Sequence, residues 1–307
     1  MQAKTPAPVG RLGDVDLRLL RVFKAVADCG GMAAAELELN IAMSTISRHV
    51  KDLEQRLGLV LCRRGRGGFA LTPEGERVHA ATRALLAATD AFRGSVHDLH
   101  QHPGGDLHVA LFEKTASNPA AHVDRAIGLF RERAPAVQLH LHVGTIGMIE
   151  RGVIDGQVHL GLIPEHRRSA SLHYAALFDE TMRLYAGAGH PWFAGSDAKR
   201  GWDALRTQPL AGLGYHSPNQ ELMHARRLER AATASDQEGV ALLVLSGAYL
   251  GFLPDHYAEP FVRAGRLRAV APALLQYRCR FWCIRRRAPA PLRIAQAFHD
   301  CLLQAHG

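Results

Sequence analysis

The residues best equipped for chemistry crowd one run, AMSTISRHVKDLEQRLG, from Ala42 to Gly58. Ser44, Thr45, Ser47, Arg48 and His49 bring hydroxyls, a guanidinium and an imidazole together within about two helical turns. Such groups donate to phosphate oxygens and to base edges alike, so the chemistry they offer is recognition of nucleic acid. In the same run Ile46, Val50, Leu53 and Leu57 fall at i, i+4, i+7 and i+11, the apolar stripe of a helix that packs by one side. A solvated amphipathic helix shows the same pattern, and this segment alone leaves that reading open.

Positioning that face requires the elements around it. DLRLLRVFKAVADCGG spaces Leu17, Leu20, Phe23, Val26 and Ala27 helically and stops at Gly30 and Gly31, a helix C-terminal signal. The short MAAAELEL follows, then Asn40 and Ile41, so two short helices meet across a tight turn in a helix-turn-helix arrangement. LVLCRRGRGGFALT then reads as a two-stranded wing with a basic tip, where Arg66 is placed for backbone phosphates or a narrow minor groove. Thr72, Pro73 and Glu74 form a strong helix start, with a hydroxyl cap, proline at the first position and a carboxylate near the positive dipole end. Along the long helix they open, Val78, Leu85, Phe92 and Leu99 are spaced by seven, with Ala81, Ala88 and Ser95 between them. That seam suits the same helix of a second chain, which would double the polar helix about a two-fold axis; packing back on its own domain is the alternative.

HPGGD, from His102 to Asp106, marks a hinge. Beyond it strands such as LHVALF, VQLHLHVG, VHLGLIP, MRLYAG and FWCIRR alternate with helical stretches, ending in APLRIAQAFHDCLLQAH, the pattern of a two-lobed α/β domain. Ligands of open α/β sheets sit at the carboxyl ends of strands. That rule selects Thr115, Ser117 and Asn118 after the first strand, Thr145 and Ile146 after the second, and Pro164, Glu165 and His166 after the third. Tyr215, His216 and Ser217 would supply the facing wall, with Asp236 and Gln237 beside them. Each hydroxyl is as readily a helix cap or turn residue. Glu113 and Glu165 near this cleft disfavour an effector with several negative charges.

Bulk properties narrow the classes further. At 307 residues the chain is long enough for two or three units, and no uninterrupted apolar run approaches the ~18 residues of a membrane helix. A formal net charge of +8 favours an anionic partner. MQAKTPAPVG carries no apolar signal segment, which places the protein in the cytoplasm, without a membrane partner. Cys29, Cys62, Cys279, Cys283 and Cys301 follow no metal-ligand spacing and read as reduced thiols. His140 with His142, and His97 with His100 and His102, lack a carboxylate or cysteine at compatible spacing, so no metal site and no cofactor is expected. There is no Gly-rich phosphate loop after a strand, no metalloprotease helix and no nucleophile elbow, which argues against an enzyme. A free-standing binding protein or an enzyme would account for the α/β half alone.

From Asp16 to about Gly75, the helix, the short helix, ISRHVKDLEQRLGLVLCRR and FALTPEG resemble the N-terminal domain of the LysR-type transcriptional regulators, and the order of elements matches that family over essentially the whole chain. The resemblance implies a winged helix-turn-helix domain (14–72), a linker and dimerisation helix (73–102) and a type 2 periplasmic-binding-protein-like effector domain (106–307). Two crossovers would divide the latter into lobe I, about 106–164 and 271–307, and lobe II, about 165–270. It further implies double-stranded DNA as partner, a small-molecule effector between the lobes, and a homodimer or homotetramer. By position it carries Ser44, Thr45, Ser47 and Arg48 over as DNA contacts, with His49 and Arg66 behind them. The chain departs from the family where a serine cap and Gln-Pro usually open the recognition helix: here stand Ala42, Met43 and Ser44, so the cap must come from elsewhere. In the preceding helix the usual Ala-Ala pair is Ala35 and Glu36.

Overall fold

A computed structural model describes residues 13–65, 68–99, 105–165, 167–288 and 290–307. The chain divides into two compact units, 1–93 and 94–307. The first contains α1 (Asp14–Asp28), α2 (Met32–Leu39), α3 (Met43–Leu57), β1 (Cys62–Gly65), β2 (Gly68–Leu71) and the body of α4 (Pro73–Leu99). α1 buries Leu19, Leu20, Val22, Phe23 and Val26, a stripe shifted from the expected one, which leaves Leu17 and Ala27 half-buried. α3 buries Ile46, Val50 and Leu53 against it, the face its sequence spacing marked.

Polar contacts fix the angles between these elements. Asp16 takes both Arg56 Nε (2.5 Å) and Nη2 (3.1 Å) and also accepts from the Gly13 amide, locking the end of α3 to the start of α1. The Gly13 amide, then the guanidinium, hold the Asp16 carboxyl below its usual range. Glu54 Oε1 accepts from the amides of Leu61 (2.8 Å) and Cys62 (3.2 Å), which sets where the wing leaves α3. Gly58 ends α3 at φ 67°, a left-handed conformation that glycine adopts without strain.

The start of α4 is pinned to the root of the wing. Thr72 Oγ1 donates to Val60 O (2.6 Å) and accepts from the Gly75 amide (2.9 Å). Gly75 lies so close to the preceding backbone that a Cβ there would stand 2.0 Å from Leu61 O. The Thr-x-x-Gly step is therefore one device, a cap plus a close approach.

The second unit is one sheet covered by helices. Its elements are β3 (Gly105–Phe112), α5 (Val123–Arg133), β4 (Val137–Gly144), α6 (Ile146–Ile154), β5 (Leu160–Pro164), β6 (Leu172–Gly187), α7 (Trp202–Leu205) and β7 (Leu210–Leu213). They continue with α8 (Pro218–Ala225), β8 (Arg230–Ala234), α9 (Gln237–Leu245), β9 (Leu250–Pro254), α10 (Asp255–Arg263), β10 (Leu267–Ala269), β11 (Gln276–Arg286) and α11 (Arg293–His306). The strand order is β4-β3-β5-β11-β6-β9-β7-β8, with β10 beside β6. β3, β4 and β5 run parallel in one lobe, and β7, β8 and β9 run parallel in the other. β6 and β11 are antiparallel to their neighbours and pass from lobe to lobe, with a register break between Arg280 and Trp282 where they cross. MRLYAG is thus only the end of a 16-residue strand. α11 returns to the first lobe and packs Phe298 edge-on against Phe130 of α5, ring centroids 5.2 Å apart. Among the described residues no helix is long and apolar enough to cross a membrane.

Thr72→Ala should lower the stability of the first unit by about 1–2 kcal/mol through the lost cap, and Gly75→Ala by more, because the backbone it meets cannot rotate away. Urea midpoints of the two variants check this; a Gly75→Ala protein as stable as the wild type would show that the α4–wing contact is dispensable.

Candidate nucleic-acid interface and ligand cleft

Opposite its buried stripe, α3 presents Ser44, Arg48, Lys51 and Gln55, all exposed. These stand at i, i+4, i+7 and i+11, so they form a straight polar ridge. Thr45, Ser47 and His49 flank it, half-buried, and the His49 Nδ1 is buried without a hydrogen-bond partner. Arg48 and His49 line a shallow groove with Arg18, Asp52, Gln55 and Arg56. Lys51 and Arg18 were missed by the sequence reading, although the same spacing that marks the apolar stripe marks Lys51. Arg66 lies outside the described residues; Arg63, on β1, is exposed.

The absent serine cap of α3 is replaced from the preceding helix. Glu36 Oε1 accepts from the Met43 amide at 3.2 Å. The residue that breaks the family's Ala-Ala pair thus supplies what Ala42 lacks, and its carboxylate also complements the helix dipole. Of the expected seam, Val78 and Leu85 pack against the first unit's own core, while Phe92 is 69% exposed and nearby Val96 38%. Leu99 falls within α4 but outside the residues whose side chains are described.

In the second unit the chosen strand-end residues have unequal roles. Thr145 caps α6 and Ser217 caps α8, each hydroxyl accepting from an amide at 3.4 Å. Ile146 is a core residue, so only its backbone is available to a ligand. Pro164 is buried at the end of β5, Glu165 is exposed and paired with Arg168 (3.0 Å), and His166 lies outside the described residues. Thr115 Oγ1 donates to Phe112 O, shaping the turn after β3. His216 lies 3.5 Å from Glu221.

Ser117 and Tyr215 come together with groups the strand-end rule did not rank, while Asn118 Oδ1 accepts from the Ala120 amide at 3.0 Å. Ser117 Oγ lies 2.9 Å from His256 Nδ1, and His256 Nε2 lies 2.8 Å from Glu180 Oε1. Across the lobes, Glu113 Oε2 accepts from the Gln237 amide (2.8 Å) at the start of α9, and Lys114 Nζ reaches Glu238 (3.3 Å). Burial pushes the Glu113 carboxyl up to about 7 despite the Gln237 amide, with Asp236 and Glu180 adding to the rise. Burial, then the charges of Glu113 and Asp236, raise the Tyr215 hydroxyl as well. Glu180 and His256 were invisible in sequence because they sit mid-strand on β6 and at the start of α10, far apart in the chain.

Two other clusters gather histidines and cysteines. His140 lies 3.1 Å from Asp106 and stacks on His108, whose Nδ1 lies 3.1 Å from His142. Among the described residues no group of three or more His, Cys, Asp or Glu is placed to hold a metal ion. The side chains of His97, His100 and His102 lie outside the described residues. Cys279 and Cys283 are buried, and burial raises both thiols, Cys283 to about 12. Neither is a ready thiolate.

Comparison with known proteins agrees with both halves. Residues 17–76 match the bacterial regulatory helix-turn-helix protein, lysR family, and residues 100–307 match the LysR substrate binding domain. The HTH-type transcriptional activator BauR of Pseudomonas aeruginosa is 38% identical over 98% of this chain and 99% of its own length. The SDS degradation transcriptional activation protein of a Pseudomonas species is 27% identical over 94% of this chain and 95% of its own. In fold the chain is similar to full-length CbnR crystallised with its target DNA, with a TM-score of 0.65 at 21% identity, covering 94% of this chain and 99% of that one. A polar-faced helix-turn-helix unit, a two-lobed unit with a cleft, and a match to both halves over nearly the whole length lead to one statement: this chain belongs to the LysR family of DNA-binding transcriptional regulators, with an effector-binding domain.

Proposed function

We propose that α3 enters the DNA major groove with Ser44, Thr45, Ser47, Arg48 and His49 toward bases and nearby phosphates, while Arg66 at the wing tip reaches the backbone. The observation that carries this is the exposed Ser44–Arg48–Lys51–Gln55 ridge standing opposite the buried stripe of the same helix. In this reading residues 14–72 are the reader, 73–102 the connecting and dimerising helix, and 106–307 the sensor. The exposed Phe92 supports self-association through α4, and the exposed Leu141 and Val143 on edge strand β4, with Met148 on α6, support a second contact, as a homotetramer needs. A cytoplasmic setting follows from a DNA target.

A small molecule binding between the lobes would contact Thr115, Ser117, Asn118, Thr145, the Ile146 backbone, Pro164, Glu165, His166, Tyr215 or Ser217. The two lobes are bridged by Glu113–Gln237, Lys114–Glu238 and Ser117–His256. A ligand that competes for these bridges or reinforces them shifts the lobe arrangement, and only a difference in affinity between arrangements transmits a signal. In two-fold assemblies that change alters the spacing or bend imposed on paired half-sites.

DNase footprinting of the region beside the protein's own gene, with and without pooled metabolites, tests the reading. A partly palindromic protected site is expected, with edges that move when effector is present; no specific protection at low salt contradicts it. Arg48→Ala should weaken specific binding by about 1–3 kcal/mol, whereas Arg66→Ala should weaken all sequences about equally. Equal, sequence-independent losses at both would remove Arg48 from base reading. Phe92→Glu should lower the oligomeric state measured by analytical ultracentrifugation, and an unchanged mass would remove α4 from the interface.

A further inference from the structure

We propose that the effector carries a protonated amino group, held in the cleft by Glu113 with Glu180 and Asp236 around it. This rests on the effector-cleft reading and names the ligand class that cleft takes. Three carboxylates from three elements converge here: Glu113 follows β3, Glu180 lies in β6 and Asp236 caps α9. Glu180 is 5% exposed and its Oε1 lies 2.8 Å from His256 Nε2, and Asp236 is occupied with the Gly239 amide at 2.7 Å. Glu113 has only an amide, and among the described residues no lysine, arginine or histidine is ion-paired with it. Lys114, its neighbour, turns instead to Glu238 and lies over the Tyr257 ring at 4.6 Å.

The surrounding polar atoms point to an occupant independently of the charges. The Tyr215 hydroxyl faces Glu113 and Asp236, yet it is buried and bonded to neither. Gln237 is 3% exposed with an unpartnered Oε1, and Asn118 is 7% exposed with an unpartnered Nδ2. Buried polar groups ordinarily find partners, so the unpartnered Gln237 and Tyr215 oxygens beside Glu113 leave hydrogen-bonding capacity for a ligand. An ammonium supplies three donors, which match the Glu113 carboxylate, Gln237 Oε1 and the Tyr215 oxygen. Asn118 Nδ2, a donor, suits an acceptor atom elsewhere on the same molecule. An anionic effector would face the carboxylates unpaired, and a divalent metal lacks a set of His, Cys, Asp or Glu ligands placed around one point among the described residues.

The proposal sets the pH response of binding. Without a cation, burial and the neighbouring Asp236 and Glu180 favour the protonated Glu113, opposed by the Gln237 amide and Lys114, while His256 Nε2 lies against Glu180 Oε1 at 2.8 Å. A bound ammonium selects the carboxylate, so affinity should rise as pH increases from about 6 to about 8. An anionic ligand would show the reverse.

Thermal shift and titration calorimetry on the full-length protein test this with 1-aminobutane, 4-aminobutyrate, butyrate, 1-butanol and calcium chloride as probes. The amines are expected to bind and stabilise, more strongly at the higher pH, and the other three are not. Glu113→Gln should weaken amine binding at least tenfold, and Tyr215→Phe, which keeps the ring, should weaken it several-fold. Binding of butyrate or calcium in place of the amines, wild-type amine affinity in both variants, or no shift with any amine overturns the proposal. The wild-type footprint on DNA separates the two levels: protection without amine binding overturns this inference alone, and absent protection overturns the regulator reading itself.

Discussion

The second unit depends on one constraint, the antiparallel pairing of β6 with β11. These strands belong to both lobes, and the register break between Arg280 and Trp282 lies where they cross from one to the other. A lobe cannot move without bending this pair, so relative motion is confined to a hinge that the backbone hydrogen bonds keep continuous. The same pairing places Glu180 opposite Cys279, where it meets His256 at the start of α10. The cleft's acidic character is therefore a consequence of the crossover as well as of the loops.

Inside that cleft the balance of charge is unfavourable by itself. A buried carboxylate without a counter-cation is costly, and proteins respond by protonating it or pairing it. Glu113 follows the first route in part, with its carboxyl raised to about 7, and the Gln237 amide recovers some of the loss by drawing the two lobes together. Strain of this kind concentrates at functional sites, where a ligand relieves it. The unpartnered Tyr215 and Gln237 oxygens carry the same meaning in hydrogen-bond terms.

How much of this was legible in the sequence depended on the range of the interaction. The stripe of α3 and the cap at Thr72 are written in local spacing, and the structure places both where that spacing puts them. The seven-residue repeat of α4 was legible, but its division was not: Val78 and Leu85 meet α1 and the wing root, contacts that no one-dimensional pattern distinguishes from those of a partner helix. Glu36 read as a departure from the family, and only the approach of α2 to the first amide of α3 turns it into a cap. The crossovers came from family resemblance, because antiparallel strands within a mostly parallel sheet have no periodic signature of their own. Glu180 and His256 are 76 residues apart and meet only through the antiparallel pairing of β6 with β9, which sets Met182 opposite Pro254. Thr145 and Ser217, chosen as hydroxyls at strand ends, act as caps of α6 and α8, the alternative that short-range chemistry always leaves open.

A chain with these two units is expected to bind DNA by sequence. The most direct measurement is the affinity of the full-length protein for the duplex upstream of its own gene and for a scrambled duplex, each across a range of salt concentrations. A specific site bound roughly a thousandfold tighter than the scrambled one, with the scrambled affinity falling steeply with salt, is the predicted result. Equal affinity for both duplexes at every salt concentration would contradict the account, because the ridge on α3 would then be only a charged surface.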